Sequence, residues 1–241
     1  MNKVLFVFAC TLISTHLFAQ EPVPVIKKKE KIDLSNRAND HFVFQLGMAG
    51  WNGIPDTINK TGFSKTLNLY LMMDFPFKSN PHLSIGFGAG VASDHILFSK
   101  TDVGINKNTP QLLFTNVSDT DNYKKTKLAT TYLEAPIEFR YSAKPLTGKG
   151  FKFVVGVKVG TLLNAHVRNA KYETKSGSSI SDHVEKESSK KFFNKTRLSA
   201  TARIGYGHLA LFGSYQLTPL IRDGLGPVVK PFSIGITFTG L

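Results

Sequence analysis

From His41 onward, apolar and polar side chains alternate with a period of two, segment after segment. The clearest case is Ala129 to Leu163. In its first half Leu133, Ala135, Ile137, Phe139 and Tyr141 share one parity, and Tyr132, Glu134, Glu138 and Arg140 share the other. In its second half Phe151, Phe153, Val155, Val157 and Val159 alternate with Lys152, Gly156, Lys158 and Gly160. This is the pattern of β-strands with unlike faces. The charged parity also carries glycines, which suits a narrow, crowded interior better than an open surface. The chain therefore reads as inside out, with its apolar parity outward and its charged parity inward. Pairing the two halves about a turn within residues 142–150 sets Glu134 opposite Lys158, within reach of a cross-strand ion pair.

The same reading predicts further strands at His41 to Trp51, Lys65 to Phe77, His82 to Ala92, Thr196 to Tyr206, Leu209 to Leu217 and Phe232 to Thr239. Across the turn from Lys78 to Pro81, Tyr70 and Met72 fall opposite Gly90 and Gly88, so bulky inward side chains lie over inward glycines. Gly207 and His208 form a two-residue loop with glycine first, as a type II′ hairpin requires. The connections alternate in length. Asn52 to Ser64, Asp94 to Thr126, Asn164 to Lys195 and Thr218 to Lys230 are long, whereas the three between them are short. Long extracellular loops and short periplasmic turns have this asymmetry in outer-membrane barrels. The predicted fold is an all-β, closed antiparallel transmembrane β-barrel of about eight strands with up-and-down topology. Both termini are then periplasmic. Phe42, Phe75, Phe77, Phe139, Tyr141, Phe151, Phe153, Tyr206 and Phe238 fall near the periplasmic strand ends with outward parity, as an aromatic girdle.

The start of the chain supports export. Lys3, an apolar run from Val4 to Phe18, then Ala19 and Gln20 have the layout of a signal peptide cleaved after Ala19. Cys10 would be the modified residue in a lipoprotein alternative, with a shorter apolar region. Residues 20–40, with Lys27 to Lys29, Pro22 and Pro24, read as a periplasmic tail. Residues 41–241 form the barrel domain. The net charge of +13 points first to anionic lipid head groups and lipopolysaccharide. Nucleic acid is not an expected partner, because the basic residues are scattered along an exported chain.

At this point the chain resembles the small outer-membrane β-barrel proteins of the Bacteroidetes type, the PorT-like or outer membrane protein beta-barrel family. The resemblance rests on Phe18, Ala19 and Gln20, on Tyr132 to Tyr141 (YLEAPIEFRY), and on Gly156 to Leu162. It implies porin-like, adhesion or structural barrels, or a part in a secretion apparatus. It carries no catalytic or cofactor-binding residues across.

The chemistry on offer is sparse. Asp94 with His95 and Asp182 with His183 stand in the expected outer loops, where a loop-mouth hydrolase would need them, but adjacent strand residues point to opposite faces. No enzyme, cofactor or metal site is expected. The candidate site is the lumen set Asp74, Glu134, Glu138, Arg140, Lys152, Lys158, Arg197 and Arg203. One reading is an ion-pair network that fills a barrel too narrow to conduct. The resulting protein would be a structural or interaction barrel of the cell envelope, reaching an envelope partner through loops 94–126 and 164–195. The other is a small-solute porin with mild anion preference, because bases outnumber acids in this set.

Overall fold

The computed structural model describes residues 41–55, 58 and 62–240. The expected signal peptide and tail lie outside them. Among the described residues eleven strands follow one another: β1 (Phe42–Asn52), β2 (Lys65–Pro76), β3 (Leu83–Phe98), β4 (Thr101–Val103), β5 (Phe114–Asn116), β6 (Asn122–Ser142), β7 (Phe151–Glu173), β8 (Ser179–Ser188), β9 (Thr196–Tyr206), β10 (Leu209–Gln216) and β11 (Lys230–Thr239). Eight of them form an antiparallel ring, β1-β2-β3-β6-β7-β9-β10-β11, and β11 pairs back onto β1 from Val43↔Thr239 to Asn52↔Lys230. Closure leaves the ring no free edge. β4 and β5 pair separately, and β8 lies against the outer half of β7.

The two parities separate as the alternation requires. Phe151, Phe153, Val155, Val157 and Val159 are exposed on the outer wall, as are Leu67, Leu69, Leu71, Ile137, Leu211 and Ile236. Gln45, Asn68, Tyr70, Met72, Glu134, Lys158, Arg197 and Arg203 are buried inside. Tyr70 pairs with Gly90 and Met72 with Gly88. A Cβ at Gly90 would sit 2.3 Å from Tyr70 Cδ1, so the tyrosine needs the missing side chain. Tyr206 and Leu209 pair across Gly207, whose φ of 60° fits the expected turn. Phe75, Phe139, Tyr141, Phe151, Phe153, Tyr206 and Phe238 are exposed near the turn end, while Phe42 and Phe77 are half-buried.

Two features of the central hairpin differ from the simple alternation. Its register places Glu134 opposite Gly160 and Lys158 opposite Pro136, two residues away from the expected Glu134–Lys158 pairing. The last pair before the turn is Ser142↔Lys152, so the turn sets a register shifted by two, which preserves parity. Pro136 also has no N–H to donate. The β3–β6 ladder breaks after Phe87↔Ile137 and resumes in the same register at Gly90↔Glu134.

The strands outrun their expected ends. β3 continues six residues past Ala92 to Phe98, and β6, β7 and β8 form a three-stranded extension above the ring. Much of what reads as loop at 94–126 and 164–195 is therefore sheet. A bulge between Thr131 and Tyr132 sets Tyr132 opposite Leu162 but Thr131 opposite Asn164, leaving Leu163 as the extra residue. A second register shift flanks Lys171, which has a φ of 61°.

Candidate functional site

The lumen has two storeys. The lower one, toward the turn end, is polar and is built from inward residues of β2, β3, β6, β7 and β9. Its centre is Glu134, whose carboxylate is fully buried. Tyr70 donates to Glu134 Oε2 at 2.6 Å and accepts from Lys158 Nζ at 3.3 Å. Arg197 donates from Nε to Glu134 Oε1 at 2.7 Å and from Nη1 to Asp94 Oδ2 at 2.7 Å, and its guanidinium lies 4.5 Å from the centre of the Tyr132 ring. Asp94 also accepts from Thr66 at 2.6 Å. Lys158 lies 3.6 Å from Glu134 despite the shifted register, because a long side chain reaches its diagonal neighbour. A chain of neutral groups, Thr66, Asn68, Gln45 and Thr237, carries the bonding across to β11.

A second cluster lies nearer the turns. Glu138 Oε2 accepts from Arg140 Nε at 2.9 Å, from Arg140 Nη2 at 2.8 Å and from Arg203 Nη2 at 2.6 Å. Arg140 also lies 3.5 Å from Asp74, which accepts from Ser84 at 2.7 Å. Gly86 makes room for this arginine, since a Cβ there would lie 2.6 Å from Arg140 Nε. Lys152 has inward parity but is only half-buried at the turn end.

The sequence-based set thus gathers around Glu134 and Glu138, but it omits one member. Asp94 is not a loop residue: it lies in β3 with its side chain in the lumen, while its neighbour His95 lies on the outer wall bonded to Ser93. The two cannot act together. Asp182 and His183 are exposed on β8. With Asp94 added, the buried carboxylates Asp74, Asp94, Glu134 and Glu138 face the buried cations Arg140, Lys158, Arg197 and Arg203 one for one. The basic excess behind the anion-pore reading shrinks to Lys152.

The upper storey is apolar. Inward Ile96 and Phe98 of β3, Leu128 of β6 and Val167 of β7 join Trp51, Val103, Ile105 and Leu112, with Phe192 and Phe193 before β9 and Leu220 and Ile221 before β11, in one buried cluster. Trp51, Phe98 and Phe114 pack ring against ring at 5.5 to 6.2 Å. Backbone bonds tie the connecting segments together: Leu112 to Leu225 at 2.8 Å, Asn194 to Leu220 at 2.9 Å and Arg222 to Phe192 at 2.9 Å. Beside Asp94 and Arg197, against Ser199, Ser214 and Gln216, is a small pocket of about 10 Å³. That holds about one water. This apolar cap went unread in the sequence, although the Phe192–Phe193 pair in a lysine-rich stretch was its signal.

Further hollows lie elsewhere, two of them at contrasting surfaces. One of about 660 Å³ opens on the outer wall where Ala202 and Gly213 leave space between Leu46, Ile204, Leu211 and Ile234. The other, about 330 Å³, lies between the β4–β5 hairpin and the extension, lined by Asp102, Lys107, Tyr123, Asn169, Tyr172, Glu185 and Glu187. There Asn169 Oδ1 is buried without a protein partner, and burial, helped by Glu185 and Asp102, pushes the Glu187 carboxyl up.

A closed eight-stranded ring with an apolar outer wall and a charged interior defines a membrane β-barrel, since only closure satisfies every backbone group in lipid. The chain belongs to the outer membrane protein beta-barrel domain family, which matches residues 32–221. It is an outer-membrane barrel. β11, which closes the ring, lies beyond the matched residues. No curated protein matches the chain.

Proposed function

We propose that this protein is a structural or interaction barrel of the cell envelope, with a lumen closed to solutes and a sheet extension that meets an envelope partner. The observation that carries this reading is the occupancy of both storeys by buried side chains, ion-paired below and apolar above. An eight-stranded barrel has an interior that side chains can just fill. The loop end faces the cell exterior and the termini face the periplasm, in keeping with the short turns at one end and long connections at the other. The segments Tyr132 to Tyr141 and Gly156 to Leu162 favour a place among PorT-like members. β8 supports the interaction role, because its far edge has no partner strand among the described residues and such edges accept an added strand. The test is conductance in planar bilayers. Insertion without steady current is the expected result, and uniform steady pores would favour the porin reading.

A further inference from the structure

The outer wall changes character above the apolar belt. Across β2, β3, β6 and β7 the register rows run Leu69, Val91, Leu133, Thr161, then Leu67, Ser93, Thr131, Asn164. The next row is Lys65, His95, Ala129, His166 and Ser188, and the one above it is Leu97, Lys127, Arg168 and Lys186. Apolar side chains thus give way to small polar ones and then to bases, in the order a membrane gives way to its head groups. Neither basic row contains an acid. Glu185 and Glu187 stand on the opposite face of β8, opposite Asn169 and Val167.

Lys127, Arg168 and Lys186 are direct register neighbours. With strands about 4.8 Å apart, they span about 10 Å. None has an ion-pair partner among the described residues. Like charges directly opposite one another are destabilising, and desolvation, then Arg168 and Lys186, lower the Lys127 ammonium from the ordinary lysine value. No acid among the described residues neutralises these three charges.

We infer that Lys127, Arg168 and Lys186, flanked by Lys65, His95 and His166, form a docking surface for the phosphate of an outer-leaflet lipid head group, with its acyl chains on the apolar rows beneath. The occupant is argued from charge complementarity and from the position of the bases directly above the belt. Arg168 supplies a fork suited to phosphate. The assignment to the outer leaflet rests on the proposed orientation, but binding in micelles does not, so the two can fail separately.

The experiment uses the refolded full chain in an uncharged detergent and titrates it with lipid A, a bisphosphorylated glycolipid, reading the complex by native mass spectrometry. Two variants carry the same change in net charge: Lys127→Gln/Arg168→Gln in the cluster and Lys144→Gln/Lys149→Gln at a turn. Folding of each is checked by its heat-dependent gel migration. The expected result is a tenfold or greater weakening of lipid A binding in the cluster variant alone, and loss of binding for dephosphorylated lipid A with the unaltered chain. Equal weakening in both variants, no weakening in either, or displacement of lipid A by an equal concentration of inorganic phosphate would overturn the proposal.

Discussion

Glu134→Gln tests the lower storey most directly, since the substitution keeps the shape of the side chain and removes only its charge. The carboxylate is buried and serves Tyr70, Lys158 and Arg197 together. Its loss is unequal for the two cations. Arg197 keeps Asp94 at 2.7 Å, whereas Lys158 loses the carboxylate 3.6 Å away and keeps only the Tyr70 hydroxyl. At an effective dielectric of ~20, two charges at that separation attract by about 4 to 5 kcal/mol. That matches the ~3 to 5 kcal/mol commonly lost when one member of a buried pair is removed. The variant should therefore unfold in urea with a stability lower by roughly that amount, read in lipid vesicles from the folded and unfolded bands on unheated gels. Adding Lys158→Met removes the stranded ammonium, so the double variant should regain more than half of the loss. An unchanged midpoint for Glu134→Gln would refute the reasoning, because it would mean that water reaches Lys158 and replaces the carboxylate. A double variant less stable than Glu134→Gln alone would refute the pairing itself.

Four further outcomes are expected. Val155→Arg puts a cation on the exposed outer wall and should cost roughly 2 to 4 kcal/mol on refolding into vesicles if that wall faces lipid near the midplane. Gly156→Ala would press a Cβ to 2.3 Å from Ile137 O and should cost about 1 to 3 kcal/mol, while Gly213→Ala, with nothing within 4 Å, should be tolerated in the same urea titration. Phe193→Ala empties a fully buried position of the cap and should cost ~3 to 5 kcal/mol, seen also as faster proteolysis of the loop end. A protease site inserted at Gly177 should be cut on intact cells, and one inserted at Lys149 only after the outer membrane is opened; the reverse pattern would invert the proposed orientation.

The ring was legible because lipid and a crowded lumen impose opposite demands on alternate residues, and the turns announce themselves by composition. The lower site was legible for the same reason: a charge on an inward parity must find a partner. Asp94 escapes the sequence pattern because the apolar alternation of β3 ends at Ala92 while the strand runs on to Phe98. Its parity nonetheless continues that of Ser84, Gly86, Gly88 and Gly90, all inward. Lys158 was legible as an ion-pair partner of Glu134, but the residue directly opposite, Gly160, was beyond alternation, which fixes the face of a residue and not its register.

The strand extensions were hidden by a reversal of polarity. Within the belt the outward residue is apolar, as at Val91 and Leu133; above it the outward residue is His95 or Lys127, and the apolar one, Ile96 or Leu128, points inward to the cap. The period of two persists while its sign changes, so the pattern reads as broken where the backbone is not. In β7 the disguise is deeper. The bulge at Leu163 exchanges the two faces just where the polarity also reverses, and the two changes cancel. Val157, Val159, Leu163, Ala165 and Val167 keep one parity throughout, yet Val159 is exposed on the outer wall and Val167 is buried under the cap. A sequence pattern records which residues are apolar, and it locates them only while what lies on each side of the sheet stays the same.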